Sequence, residues 1–210
     1  MNKIKKSKFF PIIIILISLF AFIFISAMSY TNAVFNNISD SVFRLHVIAN
    51  SDSEEDQNLK YLVRDAVISY MNNICKNTDS KEEAIRLANE HKNEFYTVAR
   101  QVIIENGYDY HVKIEIGNFE FPTKHYGDIS LPSGNYDALK IEIGEAKGQN
   151  WWCVMFPPLC FVDVTSGVVP DESKNIIEDN LSSEEYVLVS NSDNADIKLK
   201  FKLIEIFKSL

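Results

Sequence analysis

The sequence predicts an α+β fold, a mainly antiparallel sheet with two helices packed on one face, preceded by an N-terminal hydrophobic segment. Three observations carry this: runs of period two at four places in the chain, two long stripes of helical period between the first and second run, and short connections between the later runs. The predicted order is β-α-α-β-β-β, plus a C-terminal strand.

Residues 43–50, FRLHVIAN, alternate Phe43, Leu45 and Val47 with Arg44, His46 and Ile48, the period of a strand with one buried face. The following SDSEEDQ offers two helix starts, Ser51-x-x-Glu54 and Ser53-x-x-Asp56, each a capping serine with an acid in the first turn. Beyond them Leu59, Leu62, Val63, Ala66, Val67, Tyr70 and Ile74 form one apolar stripe. Residues 72–79 break it. Ser80-Lys81-Glu82-Glu83 opens a second capping box, whose stripe runs from Ala84 to Val102 and stops at Asn106-Gly107.

The period then changes to two. Tyr110, Val112, Ile114 and Ile116 face one way, with His111, Lys113 and Glu115 between them. Residues 119–130 read as irregular, and Leu131-Pro132-Ser133-Gly134 as a turn. Residues 136–143 form a strand with Leu139, Ile141 and Ile143 inward. Residues 144–149 then form a loop, and 151–156 a strand expected to fold back on 136–143 as a hairpin. Residues 171–194 carry turn-like polar clusters; 197–203, IKLKFKL, alternate as a strand, and 204–210 suit a short helix.

Ahead of this lies a different kind of segment. Four lysines (Lys3, Lys5, Lys6, Lys8) precede twenty uncharged residues, 9–28. Twenty helical residues at about 1.5 Å each cross a hydrocarbon core of roughly 30 Å, with the lysines held on the cytoplasmic side. Residues 1–28 are therefore a signal peptide or a transmembrane anchor. Their length favours the anchor, while Ser26, Ala27 and Ser29 supply a weak cleavage site. Residues 29–40 read as a linker and 41–210 as the extracytoplasmic domain. Without the four lysines the formal charge moves from −8 to −12 over residues 29–210. Such a body repels nucleic acid, so no nucleic-acid partner is expected.

The residues that invite chemistry concentrate in GQNWWCVMFPPLCFVD, 148–163, which holds both tryptophans and two of the three cysteines. Cys153 as a nucleophile needs a base within hydrogen-bond reach, and His46 on a neighbouring strand is the candidate; this is the envelope-enzyme reading, a wall hydrolase or thiol-dependent transferase. A turn centred between Phe156 and Pro157 also sets Cys153 opposite Cys160, so a disulfide and a pair of free buried thiols both stay open. Cys75 has no evident partner and reads as a small packing residue. His46, His91, His111 and His125 are scattered without metal-ligand spacing, so no metal or cofactor is expected, and His91 sits on a helical stripe as a core histidine. Asp52, Glu54, Glu55 and Asp56 are explained by capping. Adjacent strand residues point to opposite faces, so Trp151 and Trp152 cannot share one environment. One enters the core beside Ile141, and the other lies under a helix, a loop or a partner.

Two stretches, RLHVIANSDSEEDQNLKYLVRDAV (44–67) and LPSGNYDALKIEIGEAKGQNWWCVMFPPLCFVD (131–163), resemble the stage II sporulation protein R family of endospore-forming bacteria. The likeness covers about 41–165 and leaves 171–210 as a variable tail. It implies a signal made in the forespore and exported into the space between forespore and mother cell, either secreted or held by residues 9–28 in the forespore membrane. There it would activate a membrane-embedded aspartic protease of the mother-cell membrane, which processes the pro-form of the sigma factor sigma-E. On that reading the protein is not an enzyme. The expected contact surface is Arg44, His46, Asn50 and Asp52 with Asn150, Trp151 and Trp152.

Overall fold

The computed structural model describes residues 9–160, 169 and 171–190. It is a mixed helix-and-sheet fold around a mainly antiparallel four-stranded sheet, with helices from every part of the described chain packed about it. The strand predicted at 197–203 and the helix at 204–210 lie outside the described residues.

The first helix, α1 (Phe9–Asp40), begins in the apolar segment and continues well past it. A stretch of it has mean hydropathy 2.8, long and apolar enough to cross a membrane, and its side chains from Phe10 to Ile25 are exposed. Such a helix suits a signal or an anchor. Its last turns are another matter. Val34, Phe35 and Ile38 are buried in the core of the domain, so residues 29–40 are the end of a helix and not a linker. The Phe35 ring packs edge-on at 5.9 Å against Tyr136, in space that Gly134 leaves open: a Cβ at 134 would lie 1.9 Å from Phe35 Cζ. Lys81 completes the dock, donating to Ser39 O at 3.0 Å and pairing with Asp137 at 2.7 Å. A cation at a helix C-terminus also meets the negative end of its dipole.

β1 (Phe43–Ile48) is buried along its whole length. The helix that follows, α2 (Glu54–Ile74), starts at the second of the two predicted caps: Ser53 accepts from Asp56 N at 3.2 Å. Ser80 caps the next helix through Glu83 N at 3.2 Å. The long stripe from 81 to 105 is divided into α3 (Lys81–Glu90) and α4 (Lys92–Glu105). The division is a local one at His91. Backbone bonds His91 N to Leu87 O (2.9 Å) and Phe95 N to His91 O (3.1 Å) carry the chain through it. His91 itself is bonded to the Tyr70 hydroxyl at 2.9 Å but is only half-buried, so it lies at the margin of the core and not within it.

β2 (Val112–Phe121) is longer than its clear alternation, pairing along its whole length with β5 (Gly134–Ile143). Within the stretch read as irregular lies a small hairpin of β3 (Lys124–Tyr126) and β4 (Ile129–Leu131). The Gly127-Asp128 pair joins them, a two-residue connection of the kind hairpins favour. β6 (Asn150–Phe156) ends the sheet, whose order is β2-β5-β1-β6.

That order corrects the expected β5–β6 hairpin. β1 lies between them, parallel to β5 (Leu45 opposite Leu139) and antiparallel to β6 (Leu45 opposite Cys153). The loop between β5 and β6 is long enough to step over the end of β1 and is bonded to it, with Lys147 N to Asn50 O (3.1 Å) and Gly148 N to Ala49 O (3.0 Å). A central strand flanked on both edges and covered on both faces explains why every residue of β1 is buried. The tail also differs: α5 (Asp171–Asn180) and α6 (Ser183–Ser190) replace the expected turns. Ser182 and Glu185 form a reciprocal capping box for α6, and Glu185 accepts from Asn37 of α1 at 2.8 Å.

Candidate functional site around strands β1 and β6

The two sequence motifs meet as neighbouring strands. Pairing of Val47 with Trp151 and of His46 with Trp152 sets the tryptophans on opposite faces, as the period of two requires. Trp151 lies under α2, its ring 5.4 Å from that of Tyr61 and 4.3 Å from the Arg64 guanidinium carbon. Trp152 lies on the other face, stacked on His46 at 3.6 Å and edge-on to Phe121 at 4.7 Å. Both remain half-buried.

Arg44 and His46 are not on the surface. Arg44 has 0% exposure, with its guanidinium 4.1 Å from the Phe121 ring centre and 4.6 Å from that of Tyr136. One nitrogen donates to the Tyr126 hydroxyl at 2.5 Å, while Nε and Nη1 have no hydrogen-bond partner among the described residues. The aromatic faces supply a cation–π environment in place of a carboxylate.

His46 is 6% exposed and donates from Nε2 to Asn150 Oδ1 at 2.7 Å, which sets its tautomer. Burial pushes its pKa down to about 4, with the Lys140 ammonium adding to the effect and the Asn150 bond opposing it. An unfolded histidine takes up a proton near pH 6.5, whereas the folded one resists until about pH 4. Stability is therefore expected to be full above pH 6.5 and to fall as the pH drops from there toward 4. Denaturant titrations at pH 7.5 and 5 will show that fall, and a His46→Gln variant will flatten it.

Asn50 and Asp52 part company. The Asn50 side chain donates to Asp56 Oδ2 at 2.7 Å and accepts from Glu145 N at 2.9 Å, tying the end of β1 to α2 and to the β5–β6 loop. Ser51 also donates to Asp56, at 2.5 Å. Burial pushes the Asp56 carboxyl up, but bonds from Ser51, Asn50 and Tyr110 outweigh it and hold the pKa below its ordinary value. The A-N-S-D part of the motif is thus a bracket for the start of α2. Asp52 is exposed.

Cys153 and Cys160 are joined in a disulfide, with their Cα atoms 5.2 Å apart. Register also separates Cys153 from His46: Cys153 pairs with Leu45 and so takes the opposite face of the sheet. The bond closes the turn at Pro157, where Leu159 N donates to Val154 O at 3.1 Å. Reducing it is expected to cost about 2–3 kcal/mol, the loop-closure value for so short a loop. Unfolding with and without dithiothreitol measures the difference. Cys75 is a free thiol, half-buried at the end of α2, and burial pushes its pKa up.

Beside β6 lies a cavity of about 520 Å³, walled by Trp151, Trp152, Asn150 and the disulfide on one side. Lys124, His125 and Tyr126 of the β3–β4 hairpin and Lys60 and Tyr61 of α2 line it as well. None of these hairpin and α2 residues belonged to the expected surface. Lys60 carried a signal, a charge at helical spacing between Asp56 and Val63, both buried, but a three-residue hairpin strand leaves too short a pattern to read. Among the described residues no group of three or more His, Cys, Asp or Glu could hold a metal ion.

The sequence model of the family described as stage II sporulation protein R (spore_II_R) matches residues 39–166. Stage II sporulation protein R of Bacillus subtilis (strain 168) is 34% identical over 185 residues, covering 82% of this chain and 83% of that protein. No solved structure matches. The matched span takes in β1 to β6, the disulfide and the whole cavity wall, and the chain belongs to the stage II sporulation protein R family.

Proposed function

We propose that this protein is an intercompartmental sporulation signal, made in the forespore and exported, that activates a membrane-embedded aspartic protease of the mother-cell membrane. That protease then processes the pro-form of sigma-E. Family membership across residues 39–166 carries the reading. It is supported by the apolar helix α1, which suits export or anchoring in the forespore membrane, and by an aromatic-walled cavity in the most distinctive motif. On this reading the protein acts as a ligand, and the envelope-enzyme alternative built on Cys153 loses support because the disulfide occupies that sulfur and His46 lies across the sheet from it. Arg44, His46 and Asn50 hold the strands in place, so the contact surface narrows to Asn150, Trp151 and Trp152, with the exposed Asp52.

Co-expression of the chain with the protease and the pro-sigma substrate in a non-sporulating host tests this. Cleavage is expected only when all three are present. Trp151→Ala and Trp152→Ala are expected to lower cleavage by about tenfold or more, the usual loss for an interface aromatic. Unimpaired cleavage by both variants, with folded protein verified by circular dichroism, would overturn the surface.

A further inference from the structure

The cavity beside β6 is lined by donors. Its charged lining side chains are Lys60 and Lys124, with His125 next to them and no carboxylate among them, on a domain whose net charge is −12. Lys60 is 1% exposed, yet its ammonium is bonded to neutral oxygens, Gln57 Oε1 at 2.5 Å and Gln149 O at 3.2 Å. Among the described residues neither Lys60 nor Lys124 has a carboxylate within ion-pair distance. Asp52 acts on Lys60 only through its more distant charge, and burial together with Arg64 lowers the lysine's pKa against it. Among the described residues the buried indole N–H of Trp151 has no acceptor. A charge taken out of water without a countercharge is costly, and an anion entering the cavity would relieve that cost.

The same cavity runs along a sheet edge, since among the described residues β6 pairs with β1 alone. Trp152 O accepts from the Tyr126 hydroxyl at 3.4 Å and Val154 O from Leu159 N at 3.1 Å, so alternate residues of β6 turn their main-chain groups away from β1. By the same period Asn150 presents its own main-chain donor and acceptor outward. An extended chain can bond to such an edge while its side chains enter the flanking pocket.

We propose that this cavity is the docking groove for an extended, carboxylate-bearing segment of a partner protein. The inference rests on the signalling reading and names the chemistry of the surface that the signal recognises. A carboxylate of that segment sits between the Lys60 and Lys124 ammonium groups, and its main chain pairs with β6 near Asn150. The chain's own residues 197–203, IKLKFKL, are the rival occupant; their three lysines set like charge against the groove.

The two tryptophans of the chain both line the cavity, so their emission reports its occupation. Full-length protein in neutral detergent is titrated with a hexapeptide alternating glutamate and valine, and with its glutamine and lysine counterparts. The glutamate peptide is expected to shift the emission saturably and to bind about tenfold or more tightly than the glutamine one, as charge-assisted hydrogen bonds require. Lys124→Glu, on a half-buried surface position, is expected to abolish that preference with the fold intact, and Lys60→Gln to weaken it. Equal binding of the glutamate and glutamine peptides, no binding of either, or an unchanged preference in Lys124→Glu would each overturn the groove. A Lys124-dependent dimer in sedimentation, with no peptide binding, would overturn it in favour of a second copy. Peptide binding without cleavage in the three-component co-expression would instead sink the signalling reading and leave the groove standing.

Discussion

Replacing Arg44 by alanine is expected to lower the unfolding free energy by about 2–4 kcal/mol, while replacing it by methionine is expected to change it by less than about 1 kcal/mol. The contrast follows from what surrounds the side chain. With 0% exposure it fills space between the Phe121 and Tyr136 rings, so alanine leaves a hole lined by aromatics. The charge itself adds little net stability. Among the described residues it has no carboxylate partner and two of its nitrogens have no hydrogen-bond partner, and the cation–π contacts and the Tyr126 bond offset a desolvation cost of similar size. Methionine keeps most of the volume and removes the cost. Urea unfolding followed by circular dichroism measures both variants. A methionine variant as unstable as the alanine one would show that the guanidinium, and not its volume, holds this face of the sheet.

Gly148→Ala is expected to cost about 3 kcal/mol, a large loss for one added methyl. A Cβ at this position would stand 2.1 Å from the main-chain oxygen of Ser51 and 2.9 Å from the Ala49 side chain. No flexible group lies in its way to swing aside. Relief requires the β5–β6 loop to lift off the end of β1, which breaks the 3.0 Å bond from Gly148 N to Ala49 O. Because Trp151 and Trp152 follow directly on this loop, their emission is expected to shift before global unfolding, and to do so at lower denaturant than in the parent chain. Emission and circular dichroism transitions that coincide at the parent midpoint would contradict this.

The local elements were legible. The alternation at 43–48, the capping serines Ser53 and Ser80, and the strands at 136–143 and 151–156 all stand where their periods and caps predict. Some unread elements had local signals too. Ser182 and Glu185 form a capping box of the same type as Ser80 and Glu83, and Gly127-Asp128 is a hairpin dipeptide. Other features left no local trace. Phe35 and Ile38 follow an apolar membrane-type segment, and nothing in their spacing distinguishes a helix end that docks on Tyr136 from a connecting peptide. Arg44 and His46 alternate with Leu45 and Val47 as solvent-facing residues would, because period two reports that there are two faces and not which one is wet.

By itself the sequence determined the N-terminal apolar segment, the acidic body, the family and the separation of the two tryptophans onto opposite faces. Each of these depends on composition or on spacing between neighbours in the chain. Only the tertiary structure decided that β1 is inserted between β5 and β6, that the Arg44 and His46 side chains are buried, and that Lys60 and Lys124 meet Trp151 and Trp152 around one cavity. Strand order and the covering of a second face arise from contacts between residues far apart in sequence, many of them sixty or more positions distant, and hydrophobic periodicity carries no information about which distant segment will supply the cover.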